Sequence, residues 1–361
     1  MVLRDGYAVL YESFGKLDVE SDVDMPRDAM FRIASQTKAI VSVGVMMLQE
    51  EGLLLIGDPV GKYLPEYMQT NVAIANDNDG YDVVPASRSI TIRDLLLHTS
   101  GFSYGYGTAV DEWRESGFLG WYLSDRDEPI RELVRRIAEL PAESHPGERF
   151  VYGYSTDILG AVIEVVSGQS LDVFLKDRIF DPLGMSDTHF FVPTNKANRL
   201  ATVYSATEDR SIVRAPEPGA GVGQGHYVDG PRTTFSGGAG LVSTATDYAR
   251  FMQMMLNGGE FLGERLLSPT TVELMTVNHL HDITFRPGVG VGLGFDVVTD
   301  LGARGIPGAV GDYGWGGAYH STYWISQQDG LVVLFFTQLI PATGSDIHGK
   351  FRTLLYQSLI E

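Results

Sequence analysis

Residues 31–52, FRIASQTKAIVSVGVMMLQEEG, place Ser35 and Lys38 three positions apart at the start of a long apolar run. Nearly every residue from Ile40 to Leu48 is apolar, which predicts a helix that is buried on all sides and ends before Gly52. Residues three apart on a helix lie on one face, so Lys38 is within reach of the Ser35 hydroxyl. Unpaired N–H groups at a helix start also favour developing negative charge there. The stretch indicates either a serine nucleophile with a lysine base or an ordinary polar helix start.

The spacing alone does not decide between these two interpretations. Serine is a favoured first residue of helices, and short motifs of this kind match by chance. The chain holds a second copy, Ser13 and Lys16 in YESFGK. That copy contains Gly15 and follows the alternating stretch YAVLYE, which indicates the end of a strand or a turn. Other motifs in the chain are therefore needed to distinguish a catalytic pair from an ordinary helix start.

Composition limits the class of protein. With 361 residues the chain can form one large domain or two closely packed ones, and 44% hydrophobic with 20% charged residues is typical of a globular protein. No run of about 18 apolar residues occurs, so we predict no membrane insertion. The absence of cysteine excludes disulfides, thiolate nucleophiles and zinc–cysteine sites.

The net charge limits the classes of binding partner. A formal charge of −19 argues against nucleic acids and anionic membrane surfaces as ligands. The stretch MVLRDGYAVLYESFGK at the start of the sequence has no signal-peptide pattern, which favours a cytoplasmic location and leaves export as the alternative. The sequence does not define the oligomeric state.

Strand signals lie at both ends of the chain and helix signals between them. Two short strands are predicted around Asp5–Gly6, and a hairpin is predicted around Asp329–Gly330 in STYWISQQDGLVVLFFTQL. A capping box at Thr91 and Asp94 opens one of the helices, and Thr246 is predicted to cap a later one. The pattern favours one antiparallel sheet built from both chain ends, with a helical insertion.

Several other candidate residues carry weaker signals. Ser103 stands in a Gly-x-Ser-x-Gly match, GFSYG, but a predicted helix rather than a strand precedes it, which argues against a nucleophile there. His98 ends a helix and is predicted to be structural. His279 and His281 have no further ligand at helix spacing, so we predict no metal site. His320 follows a glycine-rich strand and is a candidate to border a pocket.

Two further stretches have the chemistry that a serine–lysine site needs. Tyr152, in PGERFVYGYSTDILG, precedes an apolar helix; such a tyrosine is usually part of the core, but beside a lysine it can act as a general base. Trp315-Gly316-Gly317 begins a strand whose glycines leave the backbone open to a ligand, and free N–H groups there can hold an oxyanion. A β-bulge is the alternative for the glycine pair.

The order of these motifs resembles a known family. Ser35-x-x-Lys38, LLLHTSG, the Tyr152 segment, SGGAGLVSTATDYARF and Trp315-Gly316-Gly317 follow one another as in serine hydrolases related to class C β-lactamases and D-Ala-D-Ala carboxypeptidases. Within that group the chain is most similar to the family VIII carboxylesterases. The resemblance covers essentially the whole chain.

The resemblance implies an α/β (α+β) fold, in which helices flank a β-lactamase- and penicillin-binding-protein-like antiparallel sheet beside a helical subdomain. We expect residues 1–60 and 237–361 to form the sheet domain and residues 61–236 the helical domain, with the site between them.

The resemblance also implies roles for site residues. Ser35 would be the nucleophile, and Lys38 and Tyr152 would form the proton-transfer pair. The backbone N–H groups of Ser35 and Ala318 would form the oxyanion hole. Trp315-Gly316-Gly317 occupies the place of the Lys-Thr-Gly strand of the lactamases. No metal or cofactor is required.

Two departures from the lactamase pattern concern the substrate. Tyr154 stands where a Tyr-x-Asn motif has its asparagine, so a carboxamide that would bind a peptide-like amide is lost. Trp315 replaces a lysine that would attract a carboxylate and supplies an apolar wall instead. We therefore expect Tyr154, Trp315, Gly316 and Gly317 to contact substrate.

These features favour hydrolysis of neutral, short-chain carboxylic esters through an acyl-enzyme on Ser35. The alternatives are a β-lactamase, a D-amino-acid peptidase or an amide hydrolase on the same scaffold, or a non-catalytic penicillin-binding-like protein. Aromatic loop residues are candidates for the acyl or alcohol pocket, with ordinary packing as the alternative: Tyr104, Tyr106, Trp121 and Tyr122.

Overall fold

The structure, a computed structural model, describes residues 1–77, 80–209, 211–217 and 223–360. Its strands are mostly short, and one set of seven forms the main sheet. In chain order they are β1 (Val2–Arg4), β2 (Tyr7–Leu10), β3 (Lys16–Asp18), β4 (Val23–Asp24), β5 (Phe31–Arg32), β6 (Asn71–Ala75), β7 (Tyr81–Pro85), β8 (Tyr204–Ala206), β9 (Ile212–Arg214), β10 (Val242–Ser243), β11 (Glu260–Phe261), β12 (Glu264–Arg265), β13 (Val289–Val291), β14 (Asp296–Val298), β15 (Tyr313–Gly317), β16 (Ser321–Ser326) and β17 (Leu331–Phe335).

The main sheet joins the two ends of the chain, as the strand signals predicted. Its order is β13-β14-β15-β16-β17-β1-β2, and all neighbours are antiparallel. The predicted hairpin is present as β16 and β17, and β1 pairs with β17 through Val2 opposite Val333. Strands β16 and β17 are buried at nearly every position, because one face of the sheet packs on the large core and the other on residues 351–359 at the C-terminal end of the described chain.

The helices are α1 (Thr37–Glu50), α2 (Ile92–Leu96), α3 (Val110–Glu115), α4 (Ile130–Ile137), α5 (Ser155–Ser167), α6 (Leu171–Leu175), α7 (Asp181–Leu183), α8 (Ala245–Leu256), α9 (Pro269–Met275), α10 (Leu301–Arg304) and α11 (Ile347–Gln357). Helix α1 is buried from Thr37 to Leu48, which confirms the prediction from its unbroken apolar run. A tightly wound turn, Ala34–Gln36, leads into α1 and carries Ser35.

The capping predictions were right at one helix and wrong at another. The Thr91 side chain accepts from the Asp94 backbone N–H and the Asp94 carboxylate accepts in return, which is the predicted capping box of α2. The cap of α8 is Thr244, not Thr246, because the Thr244 hydroxyl accepts from the Asp247 N–H. Thr246 instead meets the Tyr11 hydroxyl.

One large buried cluster joins the sheet to the helices. It contains residues of α1, of α2 to α7 and of the main sheet, among them Ile40, Leu95, Ile158 and Ile325. Burial of this continuous apolar surface is the main stabilising contribution. The division at residues 60 and 237 stays a prediction.

Within the described ranges, no single helix is long and apolar enough to cross a membrane. Helix α5 and the segment Leu171–Leu183 meet that length-and-apolarity criterion only as a pair, with an 82° bend between them.

Candidate active site

Ser35 lies where the central helix meets the end of a strand of the main sheet. Its turn precedes α1, and Gly317 at the end of β15 packs against that turn. A β-carbon on Gly317 would come within 2.6 Å of the Ile33 carbonyl oxygen, so a side chain at this position would push the strand away from Ser35. The glycine therefore brings the strand and the serine together.

The Lys38 amino group is buried directly behind Ser35. The side chain follows Ser35 by one helical turn, and the residue is only 3% exposed. Its Nζ donates to the Gly238 carbonyl at 2.7 Å and to the Tyr104 hydroxyl at 2.9 Å, and it lies 3.4 Å from Ser35 Oγ. The lysine is thus held in place by two short hydrogen bonds with the serine hydroxyl within reach.

Tyr152 meets Lys38 through its ring. Lys38 Nζ is 4.6 Å from the centre of that ring, within cation–π distance. The Tyr152 hydroxyl accepts a hydrogen bond from Trp315 Nε1 at 3.3 Å, and both residues line the cavity beside Ser35. The structure therefore brings together Ser35, Lys38 and Tyr152, three residues predicted to share a site, with the phenol on the cavity side of the lysine.

Tyr104 is a neighbour of Lys38 that the sequence analysis assigned only to a pocket wall. Its hydroxyl accepts one of the short lysine hydrogen bonds, and its ring lies edge-on to Tyr154 with centroids 4.9 Å apart. Burial raises the pKa of Tyr104 well above its ordinary value, so the phenol is protonated at neutral pH. The only available signal was its place in the loop after LLLHTSG, which does not reveal a hydrogen bond.

Asp157 is a second residue that the sequence analysis missed. This fully buried carboxylate accepts from the Ser236 hydroxyl at 2.6 Å and from the Gly238 N–H at 3.0 Å. The same glycine uses its carbonyl to bind Lys38. Burial raises the pKa of Asp157, while Ser236 and the nearby Lys38 charge oppose that effect. An acidic residue in the apolar stretch STDILG was the available signal.

The ring of His98 packs against the ring of Tyr152. The two rings are 4.7 Å apart, and His98 Nδ1 accepts from the Gly153 N–H at 3.4 Å. The prediction of a structural role agrees with this position, although the ring contacts an N–H and the Thr156 hydroxyl rather than helix carbonyls. Burial, with a smaller effect of the Lys38 charge, lowers the pKa of His98 well below its ordinary value. The imidazole is therefore neutral.

A cavity of about 760 Å³ opens beside Ser35. This volume is within the range of about 300–1,000 Å³ that small-molecule sites usually have. The walls near the serine are aromatic: Tyr104, Trp121, Phe150, Tyr152, Phe285 and Trp315. Trp315 and Phe285 stack in parallel with centroids 6.0 Å apart. Such walls suit a neutral, apolar ligand next to Ser35.

The turn after β15 borders the same cavity. Gly316, Gly317 and Ala318 line it next to Ser35, and the ladder with β16 ends at Gly317 opposite Ser321. The backbone of Ala318 therefore lies on the same cavity as Ser35, as the predicted oxyanion hole requires. That role for the two N–H groups stays a prediction.

Comparisons with known proteins identify the family of the chain. Residues 1–356 match the family described as Beta-lactamase. The chain belongs to the Beta-lactamase family. It is 31% identical to Esterase EstB of Burkholderia gladioli over 93% of this chain and 84% of EstB. It is 29% identical to the lovastatin esterase of Penicillium rubens over 98% of this chain and 92% of that protein.

A solved structure shows the same fold. The structure described as EstCE1, a hydrolase with promiscuous acyltransferase activity, has a TM-score of 0.83 and 26% sequence identity, covering 98% of this chain and 92% of that one. The predicted β-lactamase-like antiparallel sheet flanked by helices is confirmed, and so is the resemblance to esterases of this family. The chain is a Beta-lactamase-fold hydrolase with esterase relatives.

One predicted substrate contact in this Beta-lactamase family member is wrong. Tyr154 is fully buried and is not among the residues that line the cavity. Its ring stacks on Trp113 with centroids 5.9 Å apart, and its hydroxyl donates to the Gly120 carbonyl at 2.5 Å. A phenol is larger than the carboxamide it replaces and reaches the core, so it supports Tyr104 instead of meeting substrate.

Of the other aromatic loop residues, one lines the cavity and two form hydrogen bonds within the protein. Trp121 lines the cavity, whereas Tyr122 donates to Asp125 and Tyr106 donates to the Tyr152 carbonyl, each at 2.5 Å. Ser103 is not placed as a nucleophile, since its hydroxyl donates to the Tyr106 carbonyl and shapes the loop. The remaining histidine candidate, His320, stacks on His348 and bonds Ser345.

Proposed function

We propose that this protein is a carboxylesterase that hydrolyses short-chain esters through an acyl-enzyme on Ser35. The observation that carries the proposal is the buried Lys38 amine, 3.4 Å from Ser35 Oγ at the end of an aromatic cavity. A hydroxyl becomes a useful nucleophile when a neighbouring group takes its proton. The similarity to EstB and to the lovastatin esterase supports ester substrates.

The proposed first step is attack of Ser35 Oγ on the ester carbonyl. In this step Lys38 acts as a neutral amine: its lone pair takes the Ser35 proton while its N–H groups donate to the Tyr104 hydroxyl and the Gly238 carbonyl. The carbonyl oxygen becomes an oxyanion, which the N–H groups of Ser35 and Ala318 stabilise by charge-assisted hydrogen bonds.

The second step releases the alcohol and leaves an acyl-enzyme. We assign Tyr152 to pass the proton to the leaving oxygen, because its ring adjoins Lys38 and the residue lines the cavity. A water molecule then attacks the acyl-enzyme by the same route in reverse, giving the acid and free Ser35. These steps need no metal or cofactor.

The proposed substrate is neutral around its ester group. Trp315 occupies the strand position of a carboxylate-binding lysine, and its stacked pair with Phe285 forms an apolar wall. A small acyl or alcohol group gains binding free energy by burying apolar surface there.

A side-by-side assay tests the proposal. We expect p-nitrophenyl butyrate to be hydrolysed with a higher kcat/KM than nitrocefin or a D-Ala-D-Ala peptide. Ser35→Ala should abolish turnover, whereas Ser103→Ala, a matched serine in the neighbouring loop, should retain it. A serine-reactive phosphonate should add its mass to the peptide that contains Ser35. Preferred turnover of nitrocefin or the peptide would favour the lactamase or peptidase alternative, and no turnover of any of them would favour a non-catalytic role.

A further inference from the structure

The cavity at Ser35 continues around the edge of a strand to the opposite face of the main sheet. Strand β14 pairs with β15 only at Tyr313 and Gly314, so Trp315 to Gly317 have no β14 residue beside them. Gly316 has no side chain to close this edge. The cavity is lined on one side by Ser35 and on the other by residues near α11.

We call this second part the rear chamber, lined by Arg304, Asp312, Trp324, His348 and Arg352. Trp324 defines the face: it lies opposite Gly314 in the ladder, and its ring packs edge-on against Phe351 of α11. The chamber is therefore separate from the aromatic walls around Ser35, although both belong to one cavity.

The rear chamber and its rim contain more guanidinium groups than carboxylates. Arg286 at the rim pairs with Asp296 at 2.5 Å, and Arg352 pairs with Asp312 at 2.7 Å. Arg304 is the third guanidinium, and among the described residues its Nη1 atom is buried without a hydrogen-bond partner. Each carboxylate is paired with one of the other two arginines, and Asp312 keeps one buried oxygen, Oδ1, without a hydrogen-bond partner among the described residues. The three guanidinium groups therefore exceed the two carboxylates by one positive charge.

This excess charge is unusual for the chain as a whole. Acidic residues outnumber basic ones by 46 to 27, yet none forms an ion pair with Arg304 among the described residues. Burial, followed by repulsion from Arg352, lowers the pKa of Arg304, while attraction to Asp296 and Asp312 opposes this effect. A half-buried guanidinium of this kind is well suited to bind a carboxylate, often through two parallel hydrogen bonds.

We propose that the rear chamber binds a carboxylate at the remote end of an ester substrate, with Arg304 as its cationic partner. The inference rests on the proposed esterase function and adds a substrate class to it: esters that are neutral near the scissile bond and carry one distant carboxylate. Trp315 lies between the two ends of such a substrate. The neutral ester end would contact the apolar wall near Ser35, and the carboxylate end would bind the cation behind the strand.

Two matched series of esters test the proposal. In the acyl series, p-nitrophenyl monoesters of dicarboxylic acids of increasing length are compared with the same compounds capped as methyl esters. In the alcohol series, butyrate esters of ω-hydroxy acids are compared with their methyl-capped forms, and release of butyrate is measured. We expect one series, at one chain length, to show a kcat/KM at least about 10-fold higher for the free carboxylate, mainly through KM, as one charged hydrogen bond allows.

Variants identify the residue responsible. Arg304→Met should bring the ratio of free to capped ester close to one, whereas Arg265→Met, at an exposed arginine paired with Glu260, should leave the ratio unchanged. Calorimetry with the free dicarboxylic acid and the Ser35→Ala variant should show binding that Arg304→Met weakens by a similar factor.

The outcomes separate this inference from the proposed function. Hydrolysis of neutral esters without a carboxylate preference at any length in either series would overturn the inference alone. A preference that survives Arg304→Met would also overturn it. If the unmodified protein hydrolysed none of these esters, the proposed function would be overturned. Calorimetry would then decide whether the chamber binds a carboxylate.

Discussion

Lys38 donates a hydrogen bond to the hydroxyl of Tyr104 over 2.9 Å. It meets Tyr152, by contrast, through the face of the ring, 4.6 Å from its centre. The two phenols therefore have different relations to the same amine. Both residues line the cavity, but the Tyr104 hydroxyl is bound to the lysine, whereas the Tyr152 hydroxyl is bound to Trp315. Substitution of each hydroxyl should separate these two roles.

Tyr152→Phe should lower kcat strongly with little change in stability. The variant keeps the ring, its contact with Lys38 and its packing on His98, and removes only the oxygen that would carry the proton. Loss of a general acid–base group usually costs about 10²–10⁴ in rate. The measurement is kcat for p-nitrophenyl butyrate together with the thermal midpoint. Near wild-type turnover would contradict the assignment of Tyr152.

Tyr104→Phe should have a smaller effect on turnover. It removes one hydrogen-bond acceptor of Lys38 while the Gly238 carbonyl still holds the amine. A hydrogen bond to a charged group is worth about 1.5–3 kcal/mol, which predicts a loss of roughly 10–150-fold in kcat/KM. If Tyr104→Phe were more damaging than Tyr152→Phe, the roles of the two phenols would have to be exchanged.

Asp157→Asn should preserve the fold and reduce activity. The asparagine oxygen can still accept from Ser236 and Gly238, but the charge that faces Lys38 through the glycine is removed. Replacing a charged by a neutral acceptor weakens such bonds by about 1–1.5 kcal/mol, or roughly tenfold in kcat/KM.

The stability of the Asp157→Asn variant should not fall together with its activity. Burial raises the pKa of Asp157, and a group with a raised pKa loses its stabilising contribution as pH rises through that value. Asparagine cannot ionise, so the free energy of unfolding at pH 7.5 should equal or exceed that of the wild type. Lower stability with unchanged kcat/KM would show that Asp157 is only a structural residue.

Much of the fold was predictable because it depends on local patterns. The buried helix α1 follows from an unbroken apolar run, and the β16–β17 hairpin follows from two β-rich runs around Asp329–Gly330. The proximity of Ser35 and Lys38 was predictable for the same reason, since it depends only on helix geometry.

The unpredicted parts of the site depend on contacts between distant segments. Tyr104 reaches Lys38 across 66 positions, and the Gly238 carbonyl reaches it across 200, so no local pattern reveals either bond. Tyr154 was assigned to the substrate because it stands at the third position of the Tyr-x-Asn pattern, but its ring is buried in the core whereas Tyr152 lines the cavity. The sequence pattern could not show which ring enters the core.

His98 should make the stability of the protein depend on pH. Its pKa is well below the ordinary value, so the folded state keeps the ring neutral while the unfolded chain takes up a proton near pH 6.5. A lowered pKa means that the contribution is present above about pH 6.5 and is lost as pH falls. Between pH 7.5 and 5.5 this one group should lower the free energy of unfolding by on the order of 1 kcal/mol.

Urea unfolding at these two pH values measures the effect, with His98→Gln as the comparison. The variant cannot take up the proton, so its stability should change less over the same interval by about that amount. An NMR titration adds a direct check, since the His98 ring should titrate well below pH 6.5 in the folded protein. A midpoint near 6.5 for His98 in the folded protein would contradict the prediction.

Trp315→Lys should shift the enzyme from neutral esters towards anionic lactams. The substitution removes the indole that stacks on Phe285 and donates to the Tyr152 hydroxyl, so ester turnover should fall. It also places an ammonium group beside Ser35, where a charged hydrogen bond is worth about 1.5–3 kcal/mol, or roughly 10–150-fold in binding of a carboxylate.

Trp315→Leu is the matched control, because it removes the indole without adding charge and should lower ester turnover without improving nitrocefin binding. The measurement is the ratio of kcat/KM for p-nitrophenyl butyrate to that for nitrocefin, which should be above one in the wild type and fall most in the lysine variant. An equal fall in the leucine and lysine variants would mean that the apolar wall alone, and not the missing cation, sets the preference.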